Sequence, residues 1–143
     1  TQSKGRGQYG KKWISTKGNI FVSFFNELNK THLSIDVITK INCLLVKKIL
    51  SKFTNKKILF KKPNDLLIDK KKISGILQEI ILINDKKFLI TGIGINIIKN
   101  PNIRNYPATN LQELTKKSIS KIRVENKLKQ IFEKNLSKFY KIK

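Results

Sequence analysis

Between Ile73 and Ile95 the chain carries two dense β-branched runs, Ile73–Ile83 and Phe88–Ile95, separated only by Asn84-Asp85-Lys86-Lys87. Runs of this composition bounded by Asn and Asp read as strands, and so short a polar connection can join them only in antiparallel fashion. A long hairpin is therefore expected, and the rest of the chain has to cover it. Leu66–Asp69 reads as a shorter strand hinged on Lys70-Lys71-Lys72. Before it, Lys57–Phe60 is a further strand, followed by the turn Lys62-Pro63-Asn64-Asp65, where Pro pre-sets φ and Asn or Asp tolerates the bend. Asn19–Asn26 is dense enough in aromatic and β-branched residues for a buried strand. Leu33–Phe53 spaces Ile38, Ile41, Leu45, Ile49 and Phe53 by three and four, predicting an amphipathic helix. Thr109 with Gln112 reads as a capping box opening a short helix. Ile122, Val124, Leu128, Ile131, Phe132, Leu136 and Phe139 mark one face of a C-terminal helix. Strands joined by hairpins with helices set apart predict an α+β fold, a mixed and largely antiparallel sheet flanked by helices.

Composition narrows the function classes. At 143 residues the chain has room for one domain, and its single cysteine, Cys43, excludes an internal disulfide or a CxxC site. Cys43 falls inside the first helix and is expected buried and inert. His32 is the only histidine, so any triad would have to pass through it; at the helix start it is expected exposed and uninvolved. No apolar run approaches the roughly 20 residues of a membrane span, and nothing near residue 1 reads as a signal peptide. A soluble, cytoplasmic protein is expected, with no membrane partner. The net charge of +22 invites a nucleic-acid reading, but only Arg6, Arg104 and Arg123 among the 31 basic residues are arginines. Lysine, isoleucine and asparagine share A/T-rich codons, and phosphate-gripping surfaces favour the arginine fork. Nucleic acid is not the expected partner; acidic small substrates suit the same charge. The chain contains no methionine, so it reads as a fragment, residues 1–143 forming one partial domain.

Three segments carry candidate chemistry. Gly5-Arg6-Gly7-Gln8-Tyr9-Gly10 is formally a GxGxxG, but a polar turn follows rather than a helix, which removes the dinucleotide reading. Lys12 stands where a kinase loop needs valine, and no HRD or DFG follows. What survives is a loop whose backbone N–H groups can approach an anion, flanked by Arg6, Lys11 and Lys12; the plain alternative is a loop without a ligand. The second segment runs from Lys61-Lys62-Pro63-Asn64-Asp65 to Lys72 and Ile73-Ser74-Gly75-Ile76-Leu77. Lys70 and Lys71 read as solvated, whereas a glycine inside a β-branched strand commonly marks close backbone approach. In the third, Thr91-Gly92-Ile93-Gly94-Ile95-Asn96, both glycines fall on one strand face. They bare a stripe wide enough for a flat ring, with the Asn96 amide beside it.

Taken in order, GRGQYGKKW, KKPNDLLIDKKKISGIL and GIGIN, with Ala108-Thr109-Asn110-Leu111 echoing a later ATSL-type segment, resemble the catalytic domain of biotin–protein ligase. The resemblance spans roughly residues 2–140 and implies the class II aminoacyl-tRNA synthetase/biotin ligase-like fold. It also implies a two-step reaction in which biotin and ATP give biotinyl-AMP, and a lysine of a biotin carboxyl carrier domain then displaces AMP. Neither step needs a protein nucleophile, so the want of a triad is no obstacle. By the same resemblance Lys72 touches both the carboxylate and the α-phosphate, and Arg6, with Gly5 and Gly7, closes over biotin and phosphate. Gln2 lies near the reactive carbonyl, and Gly75 with Ile76 walls biotin's ring. Trp13 lies near the adenine, Gly92, Gly94 and Asn96 form its shelf, and Gln8, Lys61 and Asn64 complete the ATP site. Asp65 is the expected magnesium contact, with magnesium arriving on ATP.

Departures accompany the matches. Gln8 replaces the family's second loop arginine, implying a looser hold on the acyl-adenylate, and Lys62 replaces a tryptophan. The family's Ser-Thr-Asn turn, its small C-terminal barrel and any helix-turn-helix have no counterpart in the sequence. Trp13 as a lid or core plug, and Asp65 as a plain turn carboxylate, are the competing structural readings. Lipoate/octanoate–protein ligase, a basic nucleic-acid-binding module and a catalytically inactive fragment are the competing functions. Exposed sheet edges would make a homodimer plausible.

Overall fold

The structure, a computed structural model, describes residues 2–28, 33–103 and 105–139, with side chains as far as 135. His32, Arg104 and the side chains of Leu136 and Phe139 lie outside the described residues. Five strands form one sheet: β1 (Ile20–Glu27), β2 (Ile58–Lys61), β3 (Asp65–Ile68), β4 (Lys71–Ile83) and β5 (Lys86–Ile95). Their order is β1-β5-β4-β3-β2, and every pairing is antiparallel. The only parallel element among the described residues is an isolated bridge between Lys72 and Ala108. Both hairpins into and out of β4 turn on two residues, Asp69-Lys70 (φ 48° and 63°) and Asn84-Asp85 (φ 48° and 62°). Two successive left-handed residues make the tight turn that matches strand twist, and Asn and Asp accept that conformation readily. The predicted four-residue connection and lysine hinge are thus shorter, and Lys71, Lys72, Lys86 and Lys87 belong to strands.

One face of the sheet packs on helices α1 (Ile35–Leu50) and α3 (Lys121–Phe139); α2 (Leu111–Thr115) is a short turn between. The covered rows run across strands, Ile20–Ile95–Ser74–Leu66 and Val22–Ile93–Ile76. Each fully buried isoleucine or leucine contributes roughly 1.5–3 kcal/mol. Phe132 of α3 stacks on Phe24 at 4.5 Å, and Val124 and Leu128 are buried beside it, whereas Ile122 is 68% exposed. Helix α1 starts at Ser34, whose side chain accepts from Val37 N–H, and carries Asp36 in its first turn and Lys47 and Lys48 in its last. Its buried stripe is Ile38, Asn42, Cys43, Val46, Ile49 and Leu50, rotated from the predicted one so that Ile41 and Leu45 are half-buried. Polar partners explain the rotation: Thr39 donates to Gln78 Oε1, and Asn42 Nδ2 meets Thr91 Oγ1 at 3.5 Å. With partners on the sheet, these two polar residues can enter the core. The cap of α2 is Asn110, accepting from Glu113 N–H at 2.8 Å, rather than Thr109.

Candidate active site

On the opposite face of the sheet one row crosses four strands: Phe21, Gly94, Gly75 and Asp65. An aromatic ring stands at one end, a carboxylate at the other, and bare backbone lies between. The glycine-rich segment folds back over this row as a closed loop. Trp13 N–H donates to Gly5 O at 2.9 Å, Gly7 N–H to Lys11 O at 2.6 Å, and Arg6 pairs with Lys12. Its tip is a single turn, Gln8–Gly10, with Tyr9 and Gly10 left-handed and Tyr9 90% exposed. Gln2 is tied to Ser15, its N–H donating to Oγ at 2.6 Å.

The loop delivers Trp13 onto the floor. A Cβ added at Gly94 would lie 2.1 Å from the indole Cζ2, and one at Gly75 would lie 2.8 Å from Cζ3. Both positions must therefore be glycine for the ring to lie flat. The flat ring that the glycine stripe admits is the chain's own tryptophan, edge-on to Phe21 at 6.5 Å. Gly92 takes no part, because a methyl there would meet nothing closer than Leu77 O at 3.6 Å. The indole Nε1 is buried without a hydrogen-bond partner.

Lys72 reaches the same floor through a β-bulge. Leu66 pairs with Ser74 and Leu67 with Lys72, which leaves Ile73 as the extra residue. Residues three apart on an unbroken strand face opposite ways; the bulge turns Lys72 to the side of Gly75. Its ammonium lies 2.7 Å from Asp65 Oδ1, a close ion pair outside hydrogen-bond alignment. It also stands 4.8 Å from the Trp13 ring centroid. The backbone of Lys72 is clamped: its N–H donates to Pro107 O at 2.8 Å, and its carbonyl accepts from Thr109 N–H at 2.9 Å.

Tyr106, which no sequence motif marked, donates its hydroxyl to Asp65 Oδ2. Its ring lies 4.8 Å from Lys61 Nζ and 5.3 Å from Lys72 Nζ. Burial above all, then the hydrogen bond and charge of Asp65, push the phenol well above its ordinary range, so it stays a proton donor. Both oxygens of Asp65 are thereby engaged by the chain itself. Among the described residues no group of three or more His, Cys, Asp or Glu could hold a metal. Asp65 thus stands as the counter-ion of Lys72 and the acceptor of the Tyr106 hydroxyl.

The remaining expected residues fall around this centre in different ways. Asn96 is buried, its Oδ1 accepting from Asn19 at 3.3 Å and its Nδ2 donating to Lys72 O at 3.3 Å, so its amide is spent inside the fold. Asn64 straps its turn to Ile76, Nδ2 donating to Ile76 O at 2.6 Å, while the Ile76 side chain points into the helix-covered core. Arg6 is paired with Glu79 at 2.9 Å and is largely exposed. Gln8 is half-buried in the loop tip. The whole encloses a cleft of about 870 Å³, lined by Lys4, Arg6, Lys11, Lys12, Lys61, Lys62 and Lys72 against the carboxylates of Asp65 and Glu79. With no histidine or cysteine in its lining, such a cleft offers no triad but suits the meeting of two anions.

Residues 1–96 match the sequence profile of the Biotin/lipoate A/B protein ligase family, which is the greater part of the chain. The chain belongs to this family. Similarity extends to the bifunctional ligase/repressor BirA of Escherichia coli K12, 32% identical over 98 residues, covering 67% of this chain and 30% of that protein. BirA of Bacillus subtilis 168 is 29% identical over 141 residues, covering 93% of this chain and 43% of the relative. The chain thus spans less than half the length of these relatives. Among solved structures, the biotin protein ligase of Aquifex aeolicus in complex with biotin and ATP superposes with a TM-score of 0.82. It is 34% identical, covering 99% of this chain and 60% of that one. The Leishmania major enzyme in complex with biotin gives 0.74 at 25% identity, covering 91% and 59%. The family resemblance and the α+β fold expected from the sequence are both shown by these likenesses, the sheet being antiparallel throughout its strand pairings rather than mixed.

Around this centre Asn19, Glu79 and Tyr106 are engaged positions that no sequence motif marked. Each acts through a partner more than 40 residues away, and no local pattern encodes that.

Proposed function

We propose that the chain is the catalytic core of a biotin–protein ligase. In the first step a biotin carboxylate oxygen attacks the α-phosphorus of ATP, forming the acyl–phosphate bond of biotinyl-AMP as the bond to pyrophosphate breaks. In the second, a carrier-domain lysine amine attacks the acyl carbon, AMP departs, and the amine loses its proton to form the amide. The observation that carries this reading is Lys72, an ammonium held over the Gly75–Gly94 floor by Asp65 at 2.7 Å. A fixed cation between two approaching anions supplies what the first step needs, stabilisation of charge in the transition state.

In this reading Lys72 contacts the carboxylate and the α-phosphate, and Arg6 exchanges Glu79 for substrate while Gly5 and Gly7 shape the loop that carries it, the Gly7 N–H being held by Lys11 O. Gln2 approaches the acyl carbon, and the backbone of Gly75 and Ile76 walls the biotin ring. Trp13, Gly92 and Gly94 form the adenine side, Asn96 acting through its hold on Lys72, while Gln8, Lys61 and Asn64 border the phosphates. Magnesium arrives on the nucleotide, which suits an ion that keeps few protein ligands. The protein partner is a biotin carboxyl carrier domain, met in the cytoplasm.

The test is mass spectrometry of the chain incubated with ATP, magnesium and equimolar biotin, lipoate and octanoate. Biotinyl-AMP from the wild type, reduced about 10²–10³-fold in Lys72→Ala with an unchanged circular-dichroism spectrum, is the expected result. Lipoyl- or octanoyl-AMP would move the chain to the lipoate branch. No adenylate from folded protein would overturn the reading.

A further inference from the structure

We propose that Tyr106 is a positioning residue for Lys72, acting through Asp65; this rests on the ligase reading above. The loop that carries Tyr106 is laced to Lys72 from both sides, through Pro107 O and Thr109 N–H, and the Lys72–Ala108 bridge fixes its distance. A four-carbon ammonium arm on a clamped backbone still has several rotamers, and ordering it costs entropy at the moment it is needed. Three walls remove that freedom beforehand: the Trp13 ring on one side, the Tyr106 ring at 5.3 Å on the other, and the Asp65 carboxylate at the tip.

Asp65 can serve as that stop only if it cannot rotate. Its Oδ1 faces Lys72, and its Oδ2 takes the Tyr106 hydroxyl. The phenol is a neutral donor, so it anchors the carboxylate without competing for the ammonium's charge. Lys61, the other cation near this ring, sits on its face at 4.8 Å, so it helps hold Tyr106 against the cleft wall. Without the hydroxyl, Asp65 and Lys72 are free to swing together toward solvent.

Adenylate formation is measured for wild type, Tyr106→Phe, Asp65→Asn and the double variant, alongside acetylation of Lys72 by acetic anhydride followed by peptide mass spectrometry. Tyr106→Phe keeps the ring and removes one oxygen, and a thermal melt checks that the fold is retained. The expected result is a kcat about tenfold lower, the size of losing one hydrogen bond to a charged group, with both substrate KM values changed less than about twofold. Lys72 acetylation should rise several-fold relative to exposed Lys62. The double variant should lose no more than Asp65→Asn alone. Unchanged kcat with unchanged labelling would overturn the proposal, as would additive losses or an effect confined to KM. A wild type that forms no adenylate would sink the ligase reading instead, while the labelling ratio still decides whether Tyr106 holds Lys72.

Discussion

Substituting the three glycines of β4 and β5 one at a time should separate close approach from mere absence of a side chain. In Gly94→Ala the new methyl would lie 2.1 Å from Trp13 Cζ2 and 2.7 Å from Cε2. Carbon atoms rest at roughly 3.5–4.0 Å, so the indole has to retreat by about 1.5 Å. That displacement loosens its edge contact with Phe21 and its hold on the Lys72 ammonium, together about 1–3 kcal/mol. Against this, alanine restricts the unfolded chain and returns about 0.4–1 kcal/mol. The net expectation for Gly94→Ala is a loss of about 1–2 kcal/mol. Gly75→Ala meets Trp13 Cζ3 at 2.8 Å and Lys72 Cε at 2.9 Å. The lysine arm can yield, so the loss there is smaller, about 1 kcal/mol. Gly92→Ala, with nothing nearer than 3.6 Å, should be neutral or slightly stabilising. Trp13 is the only tryptophan in the chain, so its fluorescence reports the floor directly. Urea unfolding gives the stabilities, and the emission maximum should shift to the red for Gly94→Ala and not for Gly92→Ala. Wild-type emission and midpoint in Gly94→Ala, or equal damage from Gly92→Ala, would refute the packing argument.

Two further outcomes follow from buried groups away from the floor. Asn19 Oδ1 accepts from the N–H groups of Ile97, Ile98 and Lys99 at 2.9, 3.1 and 3.2 Å, and Nδ2 donates to Lys99 O at 2.8 Å. Asn19→Ala strands these groups and should cost about 2–4 kcal/mol by urea denaturation; a cost below 1 would show that water replaces the amide freely. Burial, with a smaller push from the charge of Asp65, raises the Cys43 thiol from 9.0 to about 12. The unfolded thiol then loses its proton first, so the stability this group contributes is whole below about pH 9 and declines as pH rises toward 12. Between pH 7.5 and 10.5 the wild type should lose about 2 kcal/mol more than Cys43→Ala. Parallel curves for the two proteins would contradict the burial.

Local patterns in the chain announced the hairpins, because alternation and Asn-Asp turn chemistry depend on neighbouring residues alone. The helix faces were less legible. Spacing by three and four fits two adjacent stripes of α1, and the choice fell to the one bearing Thr39 and Asn42 because Gln78 and Thr91 wait opposite. The cap of α2 was missed by one residue for a similar reason, since Asn110 is also engaged with Asn100 at 2.8 Å. Asn96 looked like a ligand-facing amide and is instead a tie between Asn19 and Lys72, which its neighbours in sequence give no sign of.

By itself, the sequence determined that a largely antiparallel sheet would form, that glycines would bare one stripe of it, and that the chain carries a basic excess without a catalytic triad. Those properties follow from backbone preference and side-chain chemistry over a few residues. The tertiary structure decided which ring covers the stripe and which lysine is aimed at it. A single extra residue, Ile73, reverses the face on which Lys72 stands, and a partner 41 residues along the chain, Tyr106, fixes the carboxylate that holds it. Register across a sheet is set by the energy of the whole packed core, so a one-residue choice of this kind is settled only when the fold closes.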